Sequence, residues 1–178
     1  MNFLQSLFQS AQQPSTPPHV GEAFNLWTYY VSVQESRVLA VMMLNHTNDN
    51  ELKEMIEQFV ADLLAPQIKQ LSDLLRNEGI DMPPGTGDKP KANEQHIPPG
   101  AKMTDMEIAN MLIVKVNGLL MFCFMGLFSA LRDDLAATFF KFQGDVLTHA
   151  YMLKKLMQKR GWLITPPFFY ASHGASHS

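Results

Sequence analysis

Apolar residues recur at intervals of three and four along four stretches of the chain, which predicts four amphipathic helices. The spacing places these helices at about residues 19–46, 51–78, 104–131 and 134–160. The second stripe is the most regular, with apolar positions at Leu52, Met55, Ile56, Phe59, Val60, Leu63, Leu64, Ile68, Leu71, Leu74 and Leu75. No segment shows sustained alternation with a period of two, so the pattern predicts an all-α protein.

Residues at the predicted helix ends support these boundaries. Thr104 and Glu107 have the spacing of a capping box at the start of the third helix. Asp133 or Asp134 is expected to cap the fourth helix through a side-chain oxygen. Gly161 follows a cationic last turn and is suited to end that helix.

A proline interrupts the second stripe. Pro66 removes one backbone hydrogen bond from the helix interior, and the sequence therefore predicts a kink near Leu63. Gly79 supplies a stop at the end of the same helix.

The connections between the helices decide the predicted topology. Short polar turns join the first helix to the second and the third to the fourth, so each pair is expected to form an antiparallel hairpin. Between the hairpins, the crossover at residues 80–103 contains Pro83, Pro84, Pro90, Pro98 and Pro99. An extended chain covers about 3.1 Å per residue, enough for this crossover to run the length of the bundle. The sequence thus predicts a ferritin-like four-helix bundle, two antiparallel hairpins joined by a long Pro-rich crossover.

The bundle is expected to occupy residues 19–170, between an N-terminal arm at 1–18 and a flexible tail at 171–178. Apolar residues of the arm share one side of a short helix, namely Phe3, Leu4, Leu7, Phe8 and Ala11. Such a short helix is marginal alone in water, so the arm is expected to dock on its own bundle or on a partner subunit. Deletion of residues 1–13 is expected to weaken self-association or to lower the melting temperature.

Composition and charge exclude several classes of protein. Hydrophobic residues make up 46% of the 178 positions and charged residues 17%, which excludes disorder for the bulk of the chain. A formal net charge of -3 leaves no electrostatic footprint for nucleic acid. The lone cysteine, Cys123, rules out an intramolecular disulfide and suits a reducing compartment. Lys115 and Asn117 interrupt the apolar run from Met111 to Leu131, which favours a buried helix over insertion into a membrane.

Charges are distributed unevenly among the predicted helices. The first helix carries only Glu22, Glu35 and Arg37, and Lys115 is the only charged residue at positions 108–131. The second and fourth helices carry charges on every turn or two. The first and third helices are therefore expected to be covered on more than one side, and a second subunit would supply that cover. We expect a homodimer.

Few residues are candidates for chemistry. A di-metal site in a ferritin-like bundle needs two Glu-x-x-His motifs, and the sequence contains neither. The remaining metal candidates are Glu35, Asp145 and His149, of which the last two share a face of the fourth helix. Alternatively, His149 is a core histidine whose ring nitrogen bonds to Asp145 or to a backbone carbonyl. The sequence predicts no catalytic residue and no cofactor.

Three residues of the third helix have both a packing and a ligand interpretation. Cys123 lies in the most apolar segment, where a thiol is more often inert packing than a nucleophile. Gly118 and Gly126 fall on roughly one helix face, where they permit a neighbouring helix to approach closely or leave room for a ligand. The twelve methionines suit irregular packing or an apolar ligand.

Four segments of the chain carry a resemblance to a known family. They are EAFNLWTYY (Glu22 to Tyr30), RNEGIDMP (Arg76 to Pro83), DDLAATFFKF (Asp133 to Phe142) and KRGWLITPPFF (Lys159 to Phe169). Together they resemble a family of ferritin-like bundles of unknown function from endospore-forming bacteria, which includes spore coat proteins akin to the coat protein F group. The resemblance covers about residues 19–170.

The resemblance implies a non-enzymatic structural or interaction protein of the spore coat or of sporulation. It would reside in the mother-cell cytoplasm or in the coat, with other coat proteins among its partners. A degenerate ferritin-like binder of a metal or of a small apolar ligand is the alternative hypothesis.

Overall fold

Four long helices account for most of the computed structural model, which describes residues 16–87, 89–92 and 94–169. They are α1 (Val20–Leu44), α2 (residues 50–77), α3 (Asp105–Ser129) and α4 (Asp133–Arg160). No strand occurs in these ranges, and the prediction of an all-α four-helix bundle is confirmed. Most of the predicted N-terminal arm and the whole predicted tail lie outside the described residues.

The second helix, α2, is continuous through three segments. These are the α-helix Asn50–Gln58, the π-helical turn Phe59–Leu64 and the α-helix Ala65–Asn77. In the π-helical turn the Ala65 N–H bonds to the carbonyl of Val60, five residues earlier. Pro66 has no N–H and its ring crowds the carbonyl four residues before it, so a wider turn relieves the crowding. The sequence predicts that Pro66 kinks the helix near Leu63. The structure has the π-helical turn Phe59–Leu64 at that place.

The caps predicted at Thr104 and Gly161 are confirmed. Thr104 Oγ1 accepts the Glu107 N–H at 3.3 Å, and Glu107 Oε2 accepts the Thr104 N–H at 2.7 Å. Both partners of the capping box are thus satisfied at the start of α3. Gly161 ends α4 with a φ of 70°, a left-handed conformation that favours glycine.

The start of α4 differs from the prediction. Neither Asp133 nor Asp134 is the N-cap, because Arg132 occupies that position and makes no side-chain cap bond. The guanidinium of Arg132 instead binds both carboxylate oxygens of Asp134, at 3.0 and 2.7 Å. A nearby guanidinium therefore outcompetes the backbone N–H groups for this carboxylate.

Contacts between helix ends establish the topology. The end of α2 meets the start of α4, where Glu78 pairs with Arg132 at 2.8 Å. At the opposite end of the bundle, the Thr47 hydroxyl donates to Asp105 at the start of α3. The chain must therefore return along the whole bundle between α2 and α3. The predicted long crossover between two hairpins is confirmed.

The crossover runs beside α1. The Thr86 hydroxyl donates to Glu35 Oε1 at 2.6 Å, and Asn45 Nδ2 donates to the carbonyl of Pro90 at 3.1 Å. These contacts cover the outer side of the second half of α1. The outer side of α3 receives no such cover from the described part of the crossover.

Candidate functional site

The centre of the bundle is filled by aromatic side chains. Tyr29 is fully buried, with ring centroids 5.9 Å from Phe139 and 5.6 Å from Phe142. Its hydroxyl donates to Oε1 of the buried Gln67 at 2.8 Å. Burial raises the pKa of Tyr29 far above its ordinary value, so this hydroxyl remains a neutral donor. The arrangement is one of packing and supplies no inward carboxylate.

The three candidate metal ligands do not form a metal site. Glu35 is exposed and accepts a hydrogen bond from Thr86, whereas Asp145 is exposed on α4. His149 is half-buried, with Nδ1 3.0 Å from the backbone carbonyl of Asp145 and its ring 6.1 Å from that of Phe59. In the described ranges no group of three or more His, Cys, Asp or Glu side chains is placed to hold a metal ion. These residues do not fit the di-metal centre associated with ferritin-like bundles.

The environment of His149 matches its packing interpretation. A carbonyl oxygen only accepts, so Nδ1 of His149 carries the proton in this contact. The ring borders a small internal void of about 10 Å³, no larger than one water molecule needs.

The packing interpretation also holds for Cys123. Its side chain is fully buried, and this burial raises the pKa of the thiol to about 12. The thiolate is the reactive form, so a thiol held neutral in the core is not a nucleophile.

The two glycines of α3 differ in their surroundings: one permits close helix packing, and the other leaves open space. A Cβ atom at Gly126 would lie 2.5 Å from ring atoms of Phe139, so Gly126 permits α3 and α4 to pack closely. A Cβ atom at Gly118 would meet no heavy atom within 4 Å. Gly118 faces an open groove between α1 and α3.

This α1/α3 groove is apolar and has a volume of about 540 Å³. Its apolar walls are Leu39, Met111, Val114, Leu119 and Phe122, with Gly118 between them. Lys115 and Ser32 supply polar atoms at its margin. The groove is large enough for a small apolar ligand or for side chains of a partner.

The outward side of α3 is also apolar, and we call this surface the α3 face. It consists of Met111, Val114, Met121, Met125 and Phe128. Each of these side chains is at least 44% exposed, and Phe128 is 83% exposed. The opposite side of α3 contributes Leu112, Val116, Leu119 and Cys123 to the core. The sequence predicts an unusually apolar α3, but the extent of its exposed side emerges only from the structure.

By length and composition alone, α3 is apolar enough to cross a membrane, and 28% of its most apolar window is buried. Core helices of soluble proteins also meet this criterion, so it does not by itself identify a span. In the bundle, α3 packs between α1 and α4. Asn25 donates to Ser129 at 2.6 Å on one side, and Gly126 meets Phe139 on the other.

Sequence analysis missed a buried carboxylate at the end of the bundle where α1 begins. Glu22 is 2% exposed, and its Oε1 accepts the N–H groups of Leu131 and Arg132 at 2.8 and 2.9 Å. Its Oε2 accepts the N–H of His19, the N-cap of α1, at 2.9 Å. Burial opposes ionisation, but these three donors hold the pKa of Glu22 below its ordinary value. The only available signal was the capping-box spacing of His19 and Glu22, and the role of Glu22 is structural.

The sequence is similar to one protein family and to one curated protein. A family model described as "Protein of unknown function (DUF3231)" matches residues 8–174. The uncharacterized protein YvdQ of Bacillus subtilis (strain 168) is 29% identical over 164 residues, 92% of this chain and 96% of YvdQ.

Two solved structures are similar. The crystal structure of a "putative spore coat protein" from Bacillus halodurans C-125 has a TM-score of 0.84 and 32% identity, and the match covers 87% of this chain and 97% of that one. A two-domain protein from Anabaena variabilis, with DJ-1/ThiJ/PfpI-like and ferritin-like domains, has a TM-score of 0.62 at 13% identity. That match covers 86% of this chain and 41% of the other, and it shows the fold alone. The ferritin-like bundle and the family resemblance are both confirmed.

Proposed function

The chain belongs to the DUF3231 family of proteins of unknown function, and from this premise we propose that it is a non-enzymatic structural or interaction protein of the spore coat or of sporulation. The name of the Bacillus halodurans structure supports the spore association. The aromatic filling of the bundle centre supports a structural role, because it occupies the place where a ferritin-like enzyme holds its metals.

The observation that carries this proposal is the α3 face. Five large apolar side chains that are each at least 44% exposed leave on the order of 500 Å² of apolar surface in water. That is near the upper limit for the largest apolar patch on an ordinary monomer. Such a patch is a binding surface, and in this protein it binds a second copy of the chain.

The neighbouring surface suits the same homodimer. A standard interface buries about 800 Å² on each partner, and the α1/α3 groove beside the α3 face supplies the additional area. Lys115 is the only charged residue at positions 108–131, so pairing of two α3 faces desolvates almost no charge. The dimer acts in the mother-cell cytoplasm or in the coat, where other coat proteins are further partners.

Sedimentation velocity on a charge variant tests the dimer. Met121→Glu places a carboxylate on the α3 face and is expected to yield a monomer. Met152→Glu is the matched control, because Met152 is an exposed methionine outside the α3 face. It lies on α4, in a separate groove between α4 and α2. It is expected to sediment like the unmodified protein. An unmodified protein that is monomeric at tens of micromolar would disprove self-association through this surface.

The spore association has a separate test. Antibody detection in coat extracts of sporulating cells is expected to find the protein, and vegetative cells are expected to contain little. Expression confined to vegetative cells, with none in the coat fraction, would contradict the proposed role.

The α1/α3 groove favours a second candidate function, the binding of a small apolar ligand. Its volume of about 540 Å³ and its apolar walls suit an acyl chain. A fluorescent fatty acid is the probe, and Gly118→Leu is the blocking variant because the new side chain projects into open space. Saturable binding that Gly118→Leu abolishes would support this function. Equal binding by both proteins, or none by either, would reject it.

A further inference from the structure

The chain that follows α4 carries exposed apolar side chains. Residues 162–169 form no helix or strand, and three large side chains among them are mostly in water: Ile164 at 73% exposure, Phe168 at 82% and Phe169 at 91%. Pro166 and Pro167 restrict the backbone between them, so little conformational freedom is lost when this stretch binds a surface. We call residues 164–169 the ITPPFF segment.

The ITPPFF segment starts beside the α1/α3 groove. Asn110, which lines that groove, donates from Nδ2 to the backbone carbonyl of Trp162 at 3.0 Å. The Trp162 N–H bonds to the carbonyl of Met157 at 2.9 Å, and Trp162 and Leu163 both pack against the core. The start of the segment is therefore held at the Asn110 end of the groove. Among the described residues, those that line the groove all belong to α1 and α3, so the segment lies outside the groove of its own chain.

The segment and the groove agree in length and in chemistry. From Asn110 to Phe122 the groove follows about 18 Å of α3, and an extended chain over residues 163–169 spans about 22 Å. The segment contains no charged residue, and Lys115 is the only charged one among the described residues that line the groove. Contact between the two therefore buries apolar surface and removes almost no charge from water.

The segment also supplies area that the α3 face lacks. The exposed side chains of that face offer on the order of 500 Å², whereas a standard interface buries about 800 Å² on each partner. A buried phenylalanine contributes about 150–250 Å², so Phe168 and Phe169 together add on the order of 300 Å². The α3 face and the ITPPFF segment together therefore reach the area of a standard interface.

We propose that the ITPPFF segment of each chain docks in the α1/α3 groove of a second copy. This inference rests on the proposed homodimer through the α3 face. Met111 and Val114 belong both to that face and to the groove, so the Asn110 anchor places the start of the segment at the edge of the dimer interface. Across a two-fold axis each segment crosses to the partner's groove, and the exchange is reciprocal. The segment then fills space that would otherwise be open to a small apolar ligand.

A double-mutant cycle measured by sedimentation equilibrium tests the docking. Phe169→Asp is expected to raise the dissociation constant of the dimer about 10- to 100-fold, because it brings a carboxylate to an apolar groove. Gly118→Leu fills the groove and is expected to act similarly, since a Cβ atom at Gly118 meets no heavy atom within 4 Å. In the Gly118→Leu background, Phe169→Asp is expected to have no further effect. Full additivity of the two effects would overturn the proposal. Phe24→Asp is the matched control, because Phe24 is exposed on α1 outside the α3 face and the groove, and it is expected to leave the constant unchanged.

Disulfide trapping identifies the chain that supplies the segment. In a Cys123→Ala background, Phe169→Cys is combined with Gly118→Cys. The control pair combines Phe169→Cys with Gly144→Cys, because Gly144 also faces open space but lies on α4, outside the groove. The first pair is expected to form a disulfide-linked species with the mass of two chains, and neither the control pair nor either single variant is expected to form it.

The other outcomes separate this inference from the homodimer itself. A disulfide within one chain would overturn the exchange and show that the segment closes over its own groove. Absence of a disulfide in a protein that sediments as a dimer would overturn the docking and leave the homodimer standing. An unmodified protein that is monomeric and forms no disulfide would overturn both.

Discussion

The carboxylate of Glu22 on α1 accepts the backbone N–H of Arg132 at 2.9 Å, although the two residues are 110 positions apart. The same carboxylate accepts the N–H groups of Leu131 and His19. The Glu22 carboxylate therefore completes the N-terminal cap of α1 and also binds the connection between α3 and α4. Backbone donors buried at this end of the bundle would otherwise lack partners.

Replacement of Glu22 by alanine is expected to lower the free energy of unfolding by about 2–4 kcal/mol. The substitution leaves three backbone N–H groups without an acceptor, and each unsatisfied buried donor costs about 1–3 kcal/mol before water compensates. Urea denaturation measures the change. Glu57→Ala is the control, because Glu57 is exposed on α2 and its loss is expected to cost about 0.5 kcal/mol or less. Similar losses in both variants would show that the Glu22 contacts contribute little.

The contribution of Glu22 is expected to depend on pH. Its pKa in the folded protein lies below the ordinary value of 4.5, so the carboxylate stabilises the fold fully above pH 4.5. That contribution disappears as the pH falls through the lower, folded-state pKa. The difference in unfolding free energy between the unmodified protein and Glu22→Gln is therefore expected to be constant near neutrality and to shrink below pH 4.5. A difference that stays constant down to pH 3 would contradict this assignment.

Removal of the Arg132 side chain is expected to destabilise the bundle by about 3–5 kcal/mol. Arg132 is buried between Glu78 and Asp134, and its loss leaves two partly buried carboxylates without a counter-charge. Arg76→Ala is the control, because the Arg76 and Asp73 side chains are 61% and 52% exposed and such pairs contribute about 0–1 kcal/mol.

A second variant isolates the charge effect at Arg132. Adding Glu78→Gln and Asp134→Asn to Arg132→Ala removes the repulsion and is expected to recover part of the stability. If the triple variant is less stable than Arg132→Ala alone, unpaired charge is not the cause of the loss.

The two glycines of α3 are expected to respond in opposite directions to alanine. Gly118→Ala adds a methyl group in open space and removes the flexibility of a mid-helix glycine, so it is expected to raise the free energy of unfolding by about 0.5–1 kcal/mol. Gly126→Ala pushes a methyl group into the buried ring of Phe139 and is expected to cost about 1–3 kcal/mol. Chemical denaturation of the two variants measures both changes. Equal shifts would show that α3 and α4 are not in close contact at Gly126.

The thiol of Cys123 is expected to react only when the protein unfolds. Burial raises its pKa from 9.0 to about 12, which lowers the thiolate fraction at pH 8 by about 1,000-fold. Absorbance with Ellman's reagent measures the rate in native buffer and in urea. Thr148→Cys in a Cys123→Ala background is the control, since Thr148 is exposed on α4, away from the α3 face, and its thiol is expected to react at once. Rapid native labelling of Cys123 would contradict its burial.

Short-range features were readable from the sequence by itself. The four helices follow from apolar spacing, and the cap at Thr104 and the stop at Gly161 depend on residues within one turn of the helix. The hairpins and the crossover follow from the lengths of the connections, because a short turn leaves two helices only one arrangement. The ferritin-like fold was therefore determined before any tertiary contact was known.

Tertiary structure decided which groups meet across the bundle. Asp134 has the composition of a cap but binds Arg132, and Glu22 receives N–H groups from residues more than 100 positions away. Gly118 and Gly126 look equivalent in the helix pattern, yet one faces open space and the other a phenylalanine ring. Periodicity identifies the apolar sides of a helix but not its rotation against its neighbours. That rotation, set by packing of all four helices at once, left the α3 face exposed and opened the groove beside Gly118.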